Sequence, residues 1–229
     1  MSFNIAIDGP AGAGKSTIAK RAARELQFIY VDTGAMYRAI AYGLLQAGTD
    51  VEDGQALAEA LSGMDVSIGY ENGEQQVYLN GENVSGVIRT EEVSRMASTA
   101  AAKPQVREML KNLQQDLARR ENVLMDGRDI GTMILPDAQL KIYLTASVHT
   151  RAERRYRELV ERGESCSLEE IEADIRERDF RDMNRETAPL CQAEDAVLVD
   201  SSDMTIEETV QRILTLARER MQEKTGDIE

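Results

Sequence analysis

Short apolar runs alternate with amphipathic stretches along most of the chain. The apolar runs have the length of β-strands and lie at residues 3–8, 28–32, 123–126, 140–145 and 196–200. Apolar residues at helical spacing predict helices at 15–27, 35–47, 53–62, 90–101, 104–120, 148–162, 167–187 and 205–224. Strands this apolar are usually buried on both faces. The pattern therefore predicts an α/β fold in which helices cover a five-stranded parallel sheet.

One segment after residue 63 departs from this rhythm. Residues 66–70 and 76–79 alternate apolar and polar positions and flank Asn72-Gly73, a pair typical of tight hairpin turns. We expect a third strand at 82–87. The pattern predicts a small antiparallel β insertion in an otherwise βα chain.

Charge and cysteine content narrow the class of protein. The 229 residues carry a formal net charge of −14 at pH 7, which argues against nucleic acid as a partner. Cys166 and Cys191 lack metal or redox spacing, so we expect free thiols in a reducing compartment. No apolar run approaches the length of a membrane span, and Asp8 interrupts any signal peptide. We expect a cytoplasmic protein.

Residues 9–17 form the motif that the prediction of function depends on. They read Gly9-Pro10-Ala11-Gly12-Ala13-Gly14-Lys15-Ser16-Thr17, which matches G-x-x-x-x-G-K-[ST] between a predicted strand and helix. The glycines allow successive N–H groups to face one anion, and the helix N-terminus adds positive potential. Lys15 would reach the β- and γ-phosphates, and the Ser16 hydroxyl would bind Mg²⁺. The motif predicts binding of a nucleoside triphosphate.

A second motif, Asp126-Gly127-Arg128-Asp129-Ile130-Gly131, ends the third parallel strand. P-loop proteins place at this position an acid that organises Mg²⁺, and we assign that role to Asp126, through water. Arg128 could neutralise charge on a transferred phosphoryl group. Gly127 stands where a hydrolytic ATPase more often has Glu, and the chain has no N-K-x-D. Both features favour transfer to an acceptor.

Arginines cluster at residues 151–162 and 176–185, with no lysine between Lys141 and Lys224. Arg151 and Arg155 share one helix face, and Arg178, Arg181, Asp182 and Arg185 share another. The guanidinium group suits bidentate contacts with phosphate, so these faces are candidate ligand contacts. Surface ion pairs with the abundant glutamates are the alternative.

The chain resembles the bacterial (d)CMP kinases of the nucleoside monophosphate kinase superfamily, from about Asn4 to Arg220. Besides the two motifs above, the resemblance depends on residues 32–38, Asp-Thr-Gly-Ala-Met-Tyr-Arg, and 178–185, Arg-Asp-Phe-Arg-Asp-Met-Asn-Arg. It implies strand order 2-3-1-4-5, a β-rich monophosphate-binding domain at 63–120, and a core at 1–62 and 121–229. It also implies a short lid at about 155–170.

The resemblance also implies roles for individual residues. CMP would contact Thr33, Arg38, Ser98, Arg107, Arg128, Asp129, Arg178, Asp182 and Arg185. In this set Arg38, Arg128 and Arg185 would bind the phosphate, and Ser98, Arg107 and Asp129 the cytosine. Arg178 and Asp182 would bind the ribose and nearby phosphates. ATP would contact residues 9–17, with Arg151 on adenine and Arg155 on the phosphates. Lys15, Arg128, Arg178 and Arg185 would form the catalytic set. Thr33 replaces the serine of some relatives and keeps the hydroxyl.

The sequence therefore predicts a monomeric kinase that transfers the γ-phosphoryl group of MgATP to CMP or dCMP, with no nucleic-acid or membrane partner. A kinase for another nucleoside monophosphate, UMP or AMP, is one alternative. A nucleotide-binding regulator without catalysis is the other.

Overall fold

The computed structural model describes residues 2–226, and within this range the chain forms two compact units. The first unit contains residues 2–30 and 121–226, and the second contains residues 31–120. Residue 1 and residues 227–229 of the predicted core lie outside the described residues. The predicted division at residue 63 stays a prediction. The second unit begins earlier, at Val31, because helix α2 (Thr33–Gln46) packs on α4 (Glu91–Ala100) and on β4 (Glu74–Leu79).

A five-stranded sheet confirms the predicted α/β class. Its strands are β1 (Asn4–Asp8), β2 (Ile29–Asp32), β6 (Val123–Gly127), β7 (Leu140–Thr145) and β8 (Val197–Asp200). Their order is β2-β6-β1-β7-β8, which is 2-3-1-4-5 when the five are numbered along the chain. Strand β1 pairs in parallel with β6 on one side and β7 on the other, with Ile7 opposite Asp126 and Ile142.

The core of the first unit lies on the sheet face that α1 (Lys15–Leu26) and α8 (Ile206–Gly226) share. Ile5, Ile7 and Leu124 of the sheet are fully buried against Ile18, Ala19, Ala22, Ile213 and Leu214 of these helices. A smaller cluster joins α6 (Val148–Glu161) to α7 (Leu168–Asn184) through Ala152, Ile171 and Ile175. Burial of apolar surface on this scale fixes the carboxyl ends of β1 and β6, where the two predicted motifs lie.

The second unit contains the predicted β insertion. Strands β3 (Val66–Glu71), β4 and β5 (Glu82–Asn83) form an antiparallel sheet whose strands β3 and β4 pack on α2, and the unit also contains α3 (Gly54–Ser62) and α5 (Pro104–Arg120). The third strand is shorter than the predicted 82–87. It ends because Val84 and Ile88 close a turn (Ile88 N to Val84 O, 3.2 Å), and the Ser85 hydroxyl accepts from Val77 N at 2.8 Å in place of a backbone carbonyl.

Two helix ends can be compared with the sequence expectation. For α2 the sequence predicts a start with Thr33 near the cap; the helix begins at Thr33, and its cap is Asp32, whose carboxylate accepts from Ala35 N at 2.9 Å. Helix α7 ends at Asn184 and not at residue 187, because Arg185 is extended and its Nε donates to Ala188 O at 2.7 Å. A π-helical turn at Ile130–Ile134 was not predicted.

Candidate active site

The glycine-rich loop joins β1 to α1 in the first unit. Gly9 has φ +152°, and a Cβ there would lie 1.9 Å from the carbonyl oxygen of Leu144, so only glycine fits. Gly14 has φ +82° and directly precedes the first helical residue, Lys15. The other predicted loop residues, Pro10, Ala11, Gly12, Ala13, Ser16 and Thr17, lie in this loop and in the first turn of α1. The arrangement is an anion-binding loop at a helix N-terminus.

Lys15 is buried at the start of α1. Its Nζ donates to the carbonyl oxygens of Gly9 and Pro10, both at 2.8 Å. Burial and the positive charge of Arg128 lower the pKa of Lys15 to about 7, from an ordinary value of 10.5. The carboxylates of the first unit therefore do not fully balance the positive charge of the Lys15 ammonium group. A polyphosphate would supply the missing negative charge.

Ser16 and Asp126 form the predicted hydroxyl–carboxylate pair. Ser16 Oγ donates to Asp126 Oδ2 at 3.0 Å, and Tyr30 Oη donates to Asp126 Oδ1 at 2.8 Å. Sequence reasoning missed Tyr30, whose partner is 96 residues away. Among the described residues, no group of three or more His, Cys, Asp or Glu side chains could bind a metal ion. Mg²⁺ commonly takes one or two protein ligands with substrate phosphates and water, and this pair fits that donor set.

Asp8, the last residue of β1, is a second residue that the sequence did not reveal. Its buried carboxylate accepts from Ile130 N at 2.8 Å and from Gly131 N at 2.7 Å. These bonds fix the π-helical turn that follows Arg128 and Asp129. Burial raises the pKa of Asp8 to about 6, although the amide bonds from Gly131 and Ile130 lower it. Asp8 thus connects the start of the phosphate loop to the second motif.

We expect Asp8→Asn to change how stability depends on pH. The pKa of Asp8 in the folded protein exceeds its ordinary value of 3.8, so the folded protein binds the proton more tightly. The wild type should gain stability relative to the variant as pH falls, by roughly 1 kcal/mol between about pH 7.5 and about pH 5. Urea unfolding of both proteins at the two pH values measures this difference. Parallel pH dependence in the two proteins would contradict it.

Three predicted arginines of the first unit gather around two buried carboxylates. Arg128 Nε donates to Asp182 Oδ2 at 2.8 Å, and Arg185 Nη2 lies 3.5 Å from Asp129 Oδ1. Burial by itself raises the pKa of Asp182, but the charges of Arg128, Arg178 and Arg185 lower it below its ordinary value. The three guanidinium groups and two carboxylates carry a net charge of about +1. The structure therefore brings this part of the predicted set together.

Arg151 and Arg155 are in different surroundings, although both lie on α6. Arg151 is buried: its Nη1 donates to Ala11 O of the phosphate loop at 2.9 Å, and its Nη2 donates to Asp179 Oδ2 of α7 at 2.6 Å. Arg155 is exposed and pairs with Glu158 at 3.2 Å. The adenine and phosphate roles of these two residues stay predictions. Asp179 as the partner of Arg151 is a further residue that sequence reasoning missed.

The remaining predicted residues lie in the second unit. Thr33 and Arg38 belong to α2, and Arg38 Nη2 donates to Asp32 Oδ2 at 3.1 Å. Arg107 of α5 donates to Ala101 O at 3.2 Å, and its guanidinium carbon lies 5.8 Å from the centroid of the Tyr37 ring. The hydroxyl of Ser98 is buried without a hydrogen-bond partner among the described residues. Buried polar groups are normally hydrogen-bonded, so this hydroxyl has capacity for a bond to a ligand.

A glycine-rich phosphate loop on a parallel sheet, with a hydroxyl–carboxylate pair and an arginine cluster, defines a P-loop phosphotransferase. Within the described residues, no helix is long and apolar enough to cross a membrane. The family model for cytidylate kinase matches residues 5–219. The chain belongs to the cytidylate kinase family, and it is an enzyme of the kinase class.

Curated relatives agree with this family. The cytidylate kinase of Shouchella clausii is 48% identical over 217 residues, which cover 95% of this chain and 96% of that protein. The cytidylate kinase of Listeria welshimeri is 50% identical over 218 residues, with 95% and 96% covered. A solved structure of an uncharacterized protein from Eubacterium ventriosum matches with TM-score 0.52 at 12% identity, covering 96% of this chain and 99% of that one. That likeness concerns the fold alone.

Proposed function

We propose that this protein transfers the γ-phosphoryl group of ATP to CMP or dCMP and releases ADP with CDP or dCDP. The observation that carries the proposal is the cluster of Arg128, Arg178 and Arg185 in the same unit as the phosphate loop. A hydrolase needs cationic side chains to bind one polyphosphate. A nucleotide kinase needs further cationic side chains to bind the phosphate of its acceptor. Family membership selects the cytidine nucleotide as that acceptor.

The chemistry requires positioning and charge neutralisation more than a strong base. The attacking group is an oxygen of the acceptor phosphate, which is already ionised. Lys15 and the amides of residues 9–14 would stabilise charge on the migrating phosphoryl group. Arg128, Arg178 and Arg185 would neutralise the phosphates and align donor with acceptor. These four side chains are the catalytic set of the proposal.

Mg²⁺ is the proposed metal, with Ser16 as a direct ligand and Asp126 acting through water. The 3.0 Å contact between these side chains and the second contact from Tyr30 to Asp126 support this assignment. When bound, the ion would neutralise charge on the phosphates of ATP.

We propose the CMP contacts that the resemblance implies. They are Thr33, Arg38, Ser98, Arg107, Arg128, Asp129, Arg178, Asp182 and Arg185. The Ser98 hydroxyl, which has no hydrogen-bond partner among the described residues, supports a contact with the base. The arginines around Asp182, which are Arg128, Arg178 and Arg185, support contacts with phosphate. Arg151 and Arg155 are assigned to ATP, and the 2.9 Å bond from Arg151 to the phosphate loop supports the first of these.

A coupled assay that measures ADP formation tests the proposal. It offers CMP, dCMP, UMP and AMP in turn with MgATP. We expect CMP and dCMP to give the highest kcat/KM. Preference for UMP or AMP would reassign the acceptor, and ADP formation with none of them would favour a nucleotide-binding regulator.

We also propose a cytoplasmic monomer whose partners are its small-molecule substrates. Cys166 and Cys191 are free thiols, and the net charge of −14 disfavours nucleic acid. Light scattering on the purified protein tests the oligomeric state, and a mass of twice the chain would contradict the monomer.

A further inference from the structure

Two arginines of the second unit converge on one carboxylate. Arg38 Nη2 lies 3.1 Å from Asp32 Oδ2, and Arg89 Nη2 lies 3.6 Å from the same oxygen. Arg89 belongs to the turn between β5 and α4, far in sequence from α2, which carries Arg38. Sequence reasoning assigned no role to Arg89 or to Asp32.

The carboxylate is rigidly placed. Asp32 Oδ1 accepts from Ala35 N at 2.9 Å and caps α2. The side-chain amide of Gln75 bonds the backbone of Asp32 twice, accepting from its N at 2.8 Å and donating to its carbonyl oxygen at 3.2 Å. The Asp32 side chain is only 9% exposed. These bonds fix where the two guanidinium groups meet.

The Arg89 side chain is loosely bound by comparison. It is 70% exposed, and the 3.6 Å ion pair is longer than a hydrogen bond. Its side chain makes no hydrogen bond within the part of the chain that the structure describes. Arg89 is therefore able to turn towards a ligand without losing a hydrogen bond, at the cost of only one long, exposed ion pair.

The charges and donors of this group suit a phosphate. Two guanidinium groups and one carboxylate carry a net charge of about +1, and each guanidinium has five N–H donors. Arg38 Nε is buried and has no hydrogen-bond partner among the described residues. A phosphate dianion can accept from several of these donors at once, whereas the remaining Asp32 oxygen cannot satisfy both arginines.

We propose that Arg89 is a second phosphate-binding residue of this unit: together with Arg38 it binds the phosphate of the acceptor nucleotide. Asp32 positions both guanidinium groups until the nucleotide binds. This inference rests on the proposed function, because it takes CMP as the acceptor.

Arg89→Ala tests the proposal, with Arg95→Ala as a matched control. Arg95 lies on the adjoining helix α4, is 75% exposed, and pairs with Glu91 at 3.8 Å. We expect Arg89→Ala to raise KM for CMP about tenfold, with KM for ATP unchanged. Arg89→Lys should restore part of the loss, since it keeps the charge without the fork. Arg95→Ala should change neither constant.

Calorimetry with CMP and with cytidine separates the phosphate from the rest of the nucleotide. Arg89→Ala should weaken CMP about tenfold and leave cytidine binding unchanged. The proposal is overturned if Arg89→Ala loses the same affinity for CMP and for cytidine. It is also overturned if Arg89→Ala binds CMP as tightly as Arg95→Ala does. A wild type that binds CMP without phosphorylating it overturns the proposed function alone. A wild type that does not bind CMP overturns both.

Discussion

Replacing Lys15 with alanine should lower kcat by about a thousandfold and leave the protein folded. The lost group is a charge aimed at the migrating phosphoryl group, so its removal acts mainly on the transition state. Stability should change little, because the loss of the two bonds to Gly9 O and Pro10 O is offset by removal of a buried ammonium group, whose pKa burial lowers to about 7. Steady-state kinetics with MgATP and CMP, together with thermal unfolding, measure the two effects.

The two measurements separate a catalytic from a structural role. If Lys15 acted only through its two bonds to the carbonyl oxygens of Gly9 and Pro10, its replacement would lower the melting temperature and leave kcat nearly unchanged. Lys15→Arg is the matched control, since it keeps the charge in a different shape. Turnover of Lys15→Ala within tenfold of the wild type would remove Lys15 from the catalytic set.

Hydrophobic periodicity was sufficient to predict the parallel sheet, because strands buried on both faces leave near-continuous apolar runs such as Phe3–Ile7. Strand order is not contained in periodicity and came from the resemblance. The π-helical turn at Ile130–Ile134 could not be predicted locally, since its amides bond to Asp8, 122 and 123 residues away.

The candidate site shows the same division between local and distant information. Lys15 and Ser16 could be predicted because the phosphate loop is one contiguous motif. Tyr30, 96 residues from Asp126, and Asp179, 28 residues from Arg151, could not, because nothing near them in sequence marks their partners. Such residues position others, and a single sequence records only that they are polar in an apolar or amphipathic stretch.

Asp129→Ala should narrow the preference for CMP over UMP by about one to two decades in kcat/KM. Cytosine carries an amino group at its 4-position and uracil a carbonyl oxygen there, so a carboxylate would accept from the first and repel the second. Loss of one such contact costs CMP roughly 1–3 kcal/mol, while UMP loses a repulsion. Measurement of kcat/KM for both acceptors at saturating MgATP gives the ratio.

The ion pair of Asp129 with Arg185 at 3.5 Å provides the alternative explanation, in which Asp129 only positions that arginine. That role would weaken CMP and UMP by the same factor and leave Ser98 and Arg107 as the readers of the base. Asp179→Asn is the matched control, because it alters another buried Asp–Arg pair of the same unit and should leave the ratio unchanged. Asp129→Asn adds a sharper test: its amide can accept from cytosine or donate to uracil, so we expect it to raise kcat/KM for UMP above that of Asp129→Ala. A ratio that stays at the wild-type value in both Asp129 variants would exclude Asp129 from base recognition.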